Sequence, residues 1–287
     1  MRSVSKLDLR TFELRARSIY PEPSVRRKLL VLGLYERFLE EKGFEPSVES
    51  LSAWIDELIE EGYSSSTVRA YAYDVLSYFD LMMIEVDDRK LKLLKKRLPP
   101  AGAGKVDYLT DEEVSKLIIN TVNPVRKLIY SIMYSYARRL GEVLALTWND
   151  IDLERGTITF RILKKRREER ATYEVEPWIK EMMLKYRDFL GKDRLFEITG
   201  RAVEMGFKRD CVRAGIEPRG RRLRVHILRH SRITSLRERG VPLDVVSKYL
   251  ARHSRFDTTV QFYLGSSAES ISRIPRAGEV LGFVRRA

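Results

Sequence analysis

Cysteine is almost absent, with Cys211 alone in 287 residues. One thiol excludes an internal disulfide framework and any zinc site built on several cysteines. It also suits a reducing compartment, so a cytoplasmic location is expected. Side-chain amides are nearly as scarce: Asn120, Asn123, Asn149 and Gln261 stand against 33% charged residues. Few thermolabile amides among many charges is a balance associated with heat-adapted proteins. No apolar run approaches the roughly 18–20 residues that span a bilayer. The start, Met1-Arg2-Ser3-Val4-Ser5-Lys6, leads into no signal-like apolar stretch, so no membrane association is expected. Histidine is limited to His226, His230 and His253, all within 28 positions.

Positive charge is abundant. The formal net charge is +13, and it is unevenly placed. Residues 1–103 carry 17 Lys+Arg and 17 Asp+Glu, whereas the remainder carries 37 basic and 24 acidic side chains. An excess confined to one part of the chain points to a polyanionic partner, nucleic acid before membrane.

The first third reads as helices. Between Val25 and Glu41, Leu29, Leu30, Leu32, Leu34, Tyr35, Phe38 and Leu39 form an amphipathic stripe. A second helix is predicted from about Val48 to Glu61, and a third behind the Ser64-Ser65-Ser66 cluster, a plausible N-cap. The basic stretch from Lys92 to Arg97 runs into Pro99-Pro100-Ala101-Gly102-Ala103-Gly104, the best domain boundary in the chain. The expected division is a four-helix-like domain over 1–98, a linker over 99–107 and a second domain over 108–287, with a tail from about 268. In the second domain, Thr110 with Glu113 is a capping box announcing a helix to about Asn120. A further helix is expected from roughly Pro124 to Arg138. Thr157 to Ile162 alternates with period two, and Thr172 to Val175 can answer it across a charged turn at Lys164 to Arg170, predicting a β-hairpin. The fold class expected is mainly α with a small β-sheet or hairpin.

His226-Ile227-Leu228-Arg229-His230 places a histidine and an arginine three apart, on one face if the segment is helical. Aimed at one point, they make a phosphate site with a proton-transfer group beside it. His226 and His230 also have the i,i+4 spacing of a metal pair. They lack the Glu of a His-Glu-x-x-His motif and an evident third ligand, so no metal is expected. Arg138-Arg139 could supply a second phosphate-binding arginine or simply form a solvated face.

Three segments together carry a family likeness. Arg139-Leu140-Gly141-Glu142, followed by Leu144-Ala145-Leu146-Thr147-Trp148-Asn149-Asp150-Ile151-Asp152, resembles the first arginine box of the tyrosine recombinases, the lambda-integrase and Xer superfamily. His226-Ile227-Leu228-Arg229-His230-Ser231 with Thr234 resembles the second box. Tyr249-Leu250-Ala251-Arg252-His253-Ser254, then Thr258-Thr259 and Tyr263, resembles the third. Residues 108–265 carry the likeness most clearly, and it extends loosely to the helical front. Ala137-Arg138 stands where the family usually has Gly-Leu. The interval from His253 to Tyr263 is one residue longer than in most relatives.

The resemblance implies a two-domain C-shaped clamp on duplex DNA, a helical core-binding domain joined to a catalytic domain. It implies cleavage and rejoining through a 3′-phosphotyrosine at Tyr263, without metal, ATP or other cofactor. A tyrosine of pKa near 10 is ionised only about one part in a thousand at pH 7, and the attacked phosphodiester is itself anionic. Fixed guanidinium charge answers both problems. By the resemblance, Arg139 and Arg229 hold the scissile phosphate and His226 assists proton movement. His253 donates to a phosphate oxygen, and Lys165, or Lys164 beside it, protonates the leaving 5′-oxygen. A homotetramer on two duplexes follows, with the tail, including Ile271, Ile274, Val280, Leu281 and Phe283, as a candidate for docking on a neighbour. Length and amide content resemble an archaeal or thermophilic Xer-type resolvase of chromosome or plasmid dimers. An integrase of a virus or mobile element, a type IB topoisomerase-like enzyme and an inactive DNA-binding clamp remain alternatives.

Overall fold

The computed structural model describes residues 7–100, 107–164, 167–242, 245–246 and 275–283. Backbone packing separates two compact units, Met1–Gly104 and Lys105–Ala287.

The described residues of the first unit form helices only: α1 (Leu9–Ile19), α2 (Glu22–Lys42), α3 (Val48–Glu60), α4 (Ser65–Leu81) and α5 (Asp88–Arg97). Each of its boundaries has a local cause. Pro21 and Pro23 separate α1 from α2, with Pro23 tolerated in a first turn whose N–H groups lack intrahelical partners. Gly43, at φ 70°, closes α2 in the left-handed conformation that a residue with a Cβ resists. Ser47, Ser64 and Asp87 cap α3, α4 and α5 through their side-chain oxygens, each worth about 1 kcal/mol. The buried faces, with Phe12, Leu32, Tyr35, Leu51, Val68, Val75 and Phe79, form one core. The described residues of this unit form five helices where a four-helix-like arrangement is expected. The two at the ends, α1 and α5, bury little: Phe12 and Ala16 in one, Leu94 in the other.

The second unit has its own core. Here α6 (Asp111–Asn120) begins at the capping box, where the Thr110 hydroxyl accepts from Glu113 N–H and the Glu113 carboxylate accepts from Thr110 N–H. Next comes α7 (Pro124–Ser135), buried at every position from Leu128 to Ser135, the mark of a central helix. It stops short of the expected Arg138 because Ala137 takes φ 49°, which no helix can continue through. After α8 (Leu140–Leu144), β1 (Ile151–Asp152), β2 (Thr157–Lys164) and β3 (Arg167–Glu174) form an antiparallel sheet in the order β1-β2-β3. Register runs from Thr157 opposite Glu174 to Lys164 opposite Arg167, so the hairpin is longer and its turn tighter than expected. Pairing continues into the charged residues because every rung still satisfies backbone groups. Ile158, Phe160 and Ile162 face the core, and the Thr159 and Thr172 hydroxyls meet at 2.9 Å on the outer face.

α9 (Pro177–Lys185), α10 (Gly200–Arg213), α11 (Ile227–Glu238) and the short α12 (Ala277–Val280) complete the described part. Asp210, fully buried on α10, accepts from the Arg126 guanidinium at 2.8 and 3.1 Å and from the Tyr130 hydroxyl at 3.0 Å. Beside it Cys211 is 1% exposed, and burial pushes its thiol up to about 12. No helix among the described residues is long and apolar enough to cross a membrane.

The segment 275–283 is seated on the second unit of its own chain. Arg232, 1% exposed on α11, donates to the Pro275 carbonyl. Glu176 accepts from Ala277 N–H, Gly278 N–H and Trp178 Nε1 at 3.1, 2.9 and 2.6 Å. Leu281 enters the core, and Phe283 packs on Trp178 with ring centroids 5.1 Å apart. Of the tail residues expected to dock on a neighbour, these two lie on the same chain, while Ile271 and Ile274 lie outside the described residues.

Candidate active site

Arg139 lies between α7 and α8, and Glu142, one turn into α8, holds it in two ways. One carboxylate oxygen accepts from the Arg139 backbone N–H at 3.1 Å, the other from Nη1 at 2.9 Å. The Arg139 side chain remains 43% exposed, open to a ligand. Glu142 is therefore the group that orients Arg139, a part the sequence motif contained without revealing it.

Arg229 comes from the first turn of α11 and is 1% exposed. Its Nη1 donates to the Ala137 carbonyl. The left-handed backbone at Ala137 thus faces a carbonyl toward α11 and ties the two arginine segments together. Burial, then the Arg139 charge, pull the Arg229 guanidinium down to about 10. It stays charged at neutral pH.

His226 occupies the N-cap position of α11. Its ring is partly buried and crosses His230 edge-on, centroids 4.8 Å apart. Burial depresses its pKa most, and the neighbouring His230, Arg229 and Arg139 add to the effect, bringing it to about 4. Burial also lowers His230. The residues expected to converge, Arg139, His226 and Arg229, lie within electrostatic reach of one another. Among the described residues, no group of three or more His, Cys, Asp or Glu is placed to hold a metal ion.

Arg138 is fully buried instead of solvated. Its guanidinium lies 5.4 Å from the Phe160 ring centre and 5.1 Å from that of Tyr173, donates to Tyr136 O at 2.8 Å, and has Glu142 3.9 Å away. It fastens the arginine segment to the hairpin. Ala137 takes a positive φ at this turn, which an alanine does not announce in the sequence.

Arg138, Arg139 and Arg229 against Glu142 give a local excess of positive charge beside His226, with Arg139 the exposed member. Such a cluster can attract an anion of phosphodiester type, hold negative charge as it develops, and accept a proton at His226. Of the remaining expected residues, Lys164 ends β2, whereas Lys165, His253 and Tyr263 lie outside the described residues.

A sequence profile described as the phage integrase family matches residues 107–270. The tyrosine recombinase XerA of Thermococcus onnurineus (strain NA1) is 28% identical over 255 residues, covering 83% of this chain and 84% of that protein. The tyrosine recombinase XerD of Yersinia pestis is 27% identical over 249 residues, covering 79% and 80%. Among solved structures, the Tn1549 transposon integrase in complex with circular intermediate DNA aligns at a TM-score of 0.68. That alignment has 15% identity and covers 94% of this chain and 98% of that one.

Proposed function

The chain belongs to the phage integrase family, and on that premise we propose that it is a site-specific tyrosine recombinase of the Xer type, acting in the cytoplasm to resolve chromosome or plasmid dimers. The observation that supports the reading is that the Arg229 guanidinium, one turn from His226, is tied to the Ala137 carbonyl, two residues before the exposed Arg139.

In this reading the Tyr263 phenol oxygen attacks the scissile phosphorus, the P–O5′ bond breaks, and the 5′-oxygen takes a proton. Arg139 and Arg229 hold the two non-bridging oxygens and neutralise charge that grows in the transition state. His226, uncharged at neutral pH, receives the phenolic proton. His253 donates to a non-bridging oxygen, and Lys165, or Lys164, protonates the leaving 5′-oxygen. The phosphodiester energy stays in the phosphotyrosine, so a 5′-hydroxyl from a partner duplex reverses the step and releases the phenol. Four protomers on two duplexes carry out the exchange, with the helical unit 1–98 as a core-binding domain. Similarity to XerA and XerD proteins over about four-fifths of the chain favours the Xer type.

The test is a nicked suicide duplex carrying the recombination site, incubated in EDTA with wild type and Tyr263→Phe and resolved on a denaturing gel. A DNA-linked band from wild type alone is expected. A band from both variants would remove Tyr263 as nucleophile. Its absence from both, with the duplex bound, would leave a binding clamp without chemistry.

A further inference from the structure

The loop that leads into His226 is unusually rich in arginine, Arg219-Gly220-Arg221-Arg222-Leu223-Arg224, and the mechanism above uses none of it. Its side chains divide by position. Arg222 and Arg224 are exposed, whereas Leu223 packs against the core and Val225 is 1% exposed. That period of two puts Arg222 and Arg224 on one side of the chain, as in an extended segment.

The backbone here is firmly held. Arg221 donates to both Glu113 carboxylate oxygens at 2.7 Å and to the Tyr108 and Glu217 carbonyls at 2.9 Å. Asp107 accepts from Arg222 N–H at 2.8 Å, Glu204 from Val225 N–H at 3.1 Å, and the Arg224 carbonyl from Ile227 N–H at 2.8 Å. In this network Asp107, Glu113 and Glu204 thus accept from the backbone and from Arg221. Among the described residues, neither Arg222 nor Arg224 has an ion-pair partner.

Resting on the DNA reading above, we propose that Arg222 and Arg224 are a phosphate clamp that grips two consecutive phosphates of one DNA strand beside the reacting one. Residues two apart in an extended chain are about 6.6 Å apart, close to the separation of neighbouring phosphates along a strand. Arg224 lies two residues before His226, so a strand gripped there is delivered to Arg139 and Arg229. The pinned backbone removes much of the ordering cost such a grip would otherwise carry. Backbone contacts of this kind set register and affinity without reading sequence.

The test is fluorescence anisotropy of the full chain on a duplex of arbitrary sequence, titrated at salt concentrations from about 50 to about 200 mM. Arg222→Ala/Arg224→Ala removes two phosphate contacts, so the slope of log affinity against log salt should flatten by about 1.8, and the loss of affinity across that salt range should shrink by roughly 10-fold. Arg222→Lys/Arg224→Lys should keep most of the slope. The comparison variant is Arg155→Ala/Lys192→Ala, which removes equal charge from exposed positions elsewhere on the unit and should leave the slope in place. An unchanged slope in the first variant, or an equal drop in the comparison variant, overturns the clamp. Lack of binding by the wild type at low salt would instead sink the DNA reading, and the clamp with it.

Discussion

His226 offers the most direct measure of the electrostatics of the site. In the folded protein its pKa falls from the ordinary 6.5 to about 4. Unscreened, that difference corresponds to roughly 3 kcal/mol between charged and neutral ring. The ring is only partly buried, and screening by solvent reduces the effect on stability to about 1–2 kcal/mol. Between pH 6.5 and 4 the unfolded chain binds the proton that the folded one refuses, so stability falls as pH falls through that window. Above pH 6.5 the ring is neutral in both states and the contribution is fully present. Replacing it by His226→Gln removes this dependence while leaving the carboxylates that titrate nearby in both proteins. Urea unfolding of the two proteins from pH 7.5 to 4 should show the wild type losing about 1–2 kcal/mol more than the variant. With only three histidines in the chain, the ring ε1 resonances can be followed directly by NMR, and His226→Gln assigns the one that resists protonation. Unfolding curves that run parallel, or an assigned resonance titrating near 6.5, would refute the account of a ring held neutral by burial and by Arg229 and Arg139.

Two further outcomes test the packing. Ala137 sits at φ 49°, where glycine carries less strain by about 1 kcal/mol, partly offset by the freer unfolded chain and the lost methyl burial. Ala137→Gly should therefore keep or slightly raise the thermal midpoint, while Ala137→Val should cost at least ~2 kcal/mol; a tolerated valine would contradict the left-handed turn. At Gly278 an added Cβ would lie 2.7 Å from Trp178 Cδ1. Gly278→Ala should unseat residues 275–283, red-shift tryptophan emission and speed proteolysis there, and unchanged emission with unchanged proteolysis would show that the contact is slack.

Much of this was legible in residue order because the signals are local. The Thr110 and Glu113 pair announced the start of α6, Ser64 that of α4, and the alternation from Thr157 to Ile162 gave β2. That Arg229 is tied to the backbone beside Arg139 is legible only from taking the boxes together; no local rule brings residues 90 positions apart side by side. What escaped notice depends on tertiary partners. Arg138 looks like a surface charge beside Arg139, and only the Phe160 and Tyr173 rings across the hairpin make it a core residue. The end of α7 was overshot because alanine hides a positive φ that glycine would have advertised. Strand β1 is two residues long, too short to show a period at all. The cis seating of Leu281 and Phe283 rests on Glu176 and Trp178, about a hundred residues away in sequence.

The buried Cys211 has a practical consequence for watching this protein at work. Its thiol is sealed in the core and is deprotonated only far above physiological pH, so maleimide reagents should pass it by. A thiol introduced at an exposed position in each unit, for instance by Leu30→Cys and Leu184→Cys, would then be the only reactive pair without removal of the native one. The native thiol can thereby stay in place during donor–acceptor labelling, and the distance between the two labelled positions can be read with and without duplex DNA.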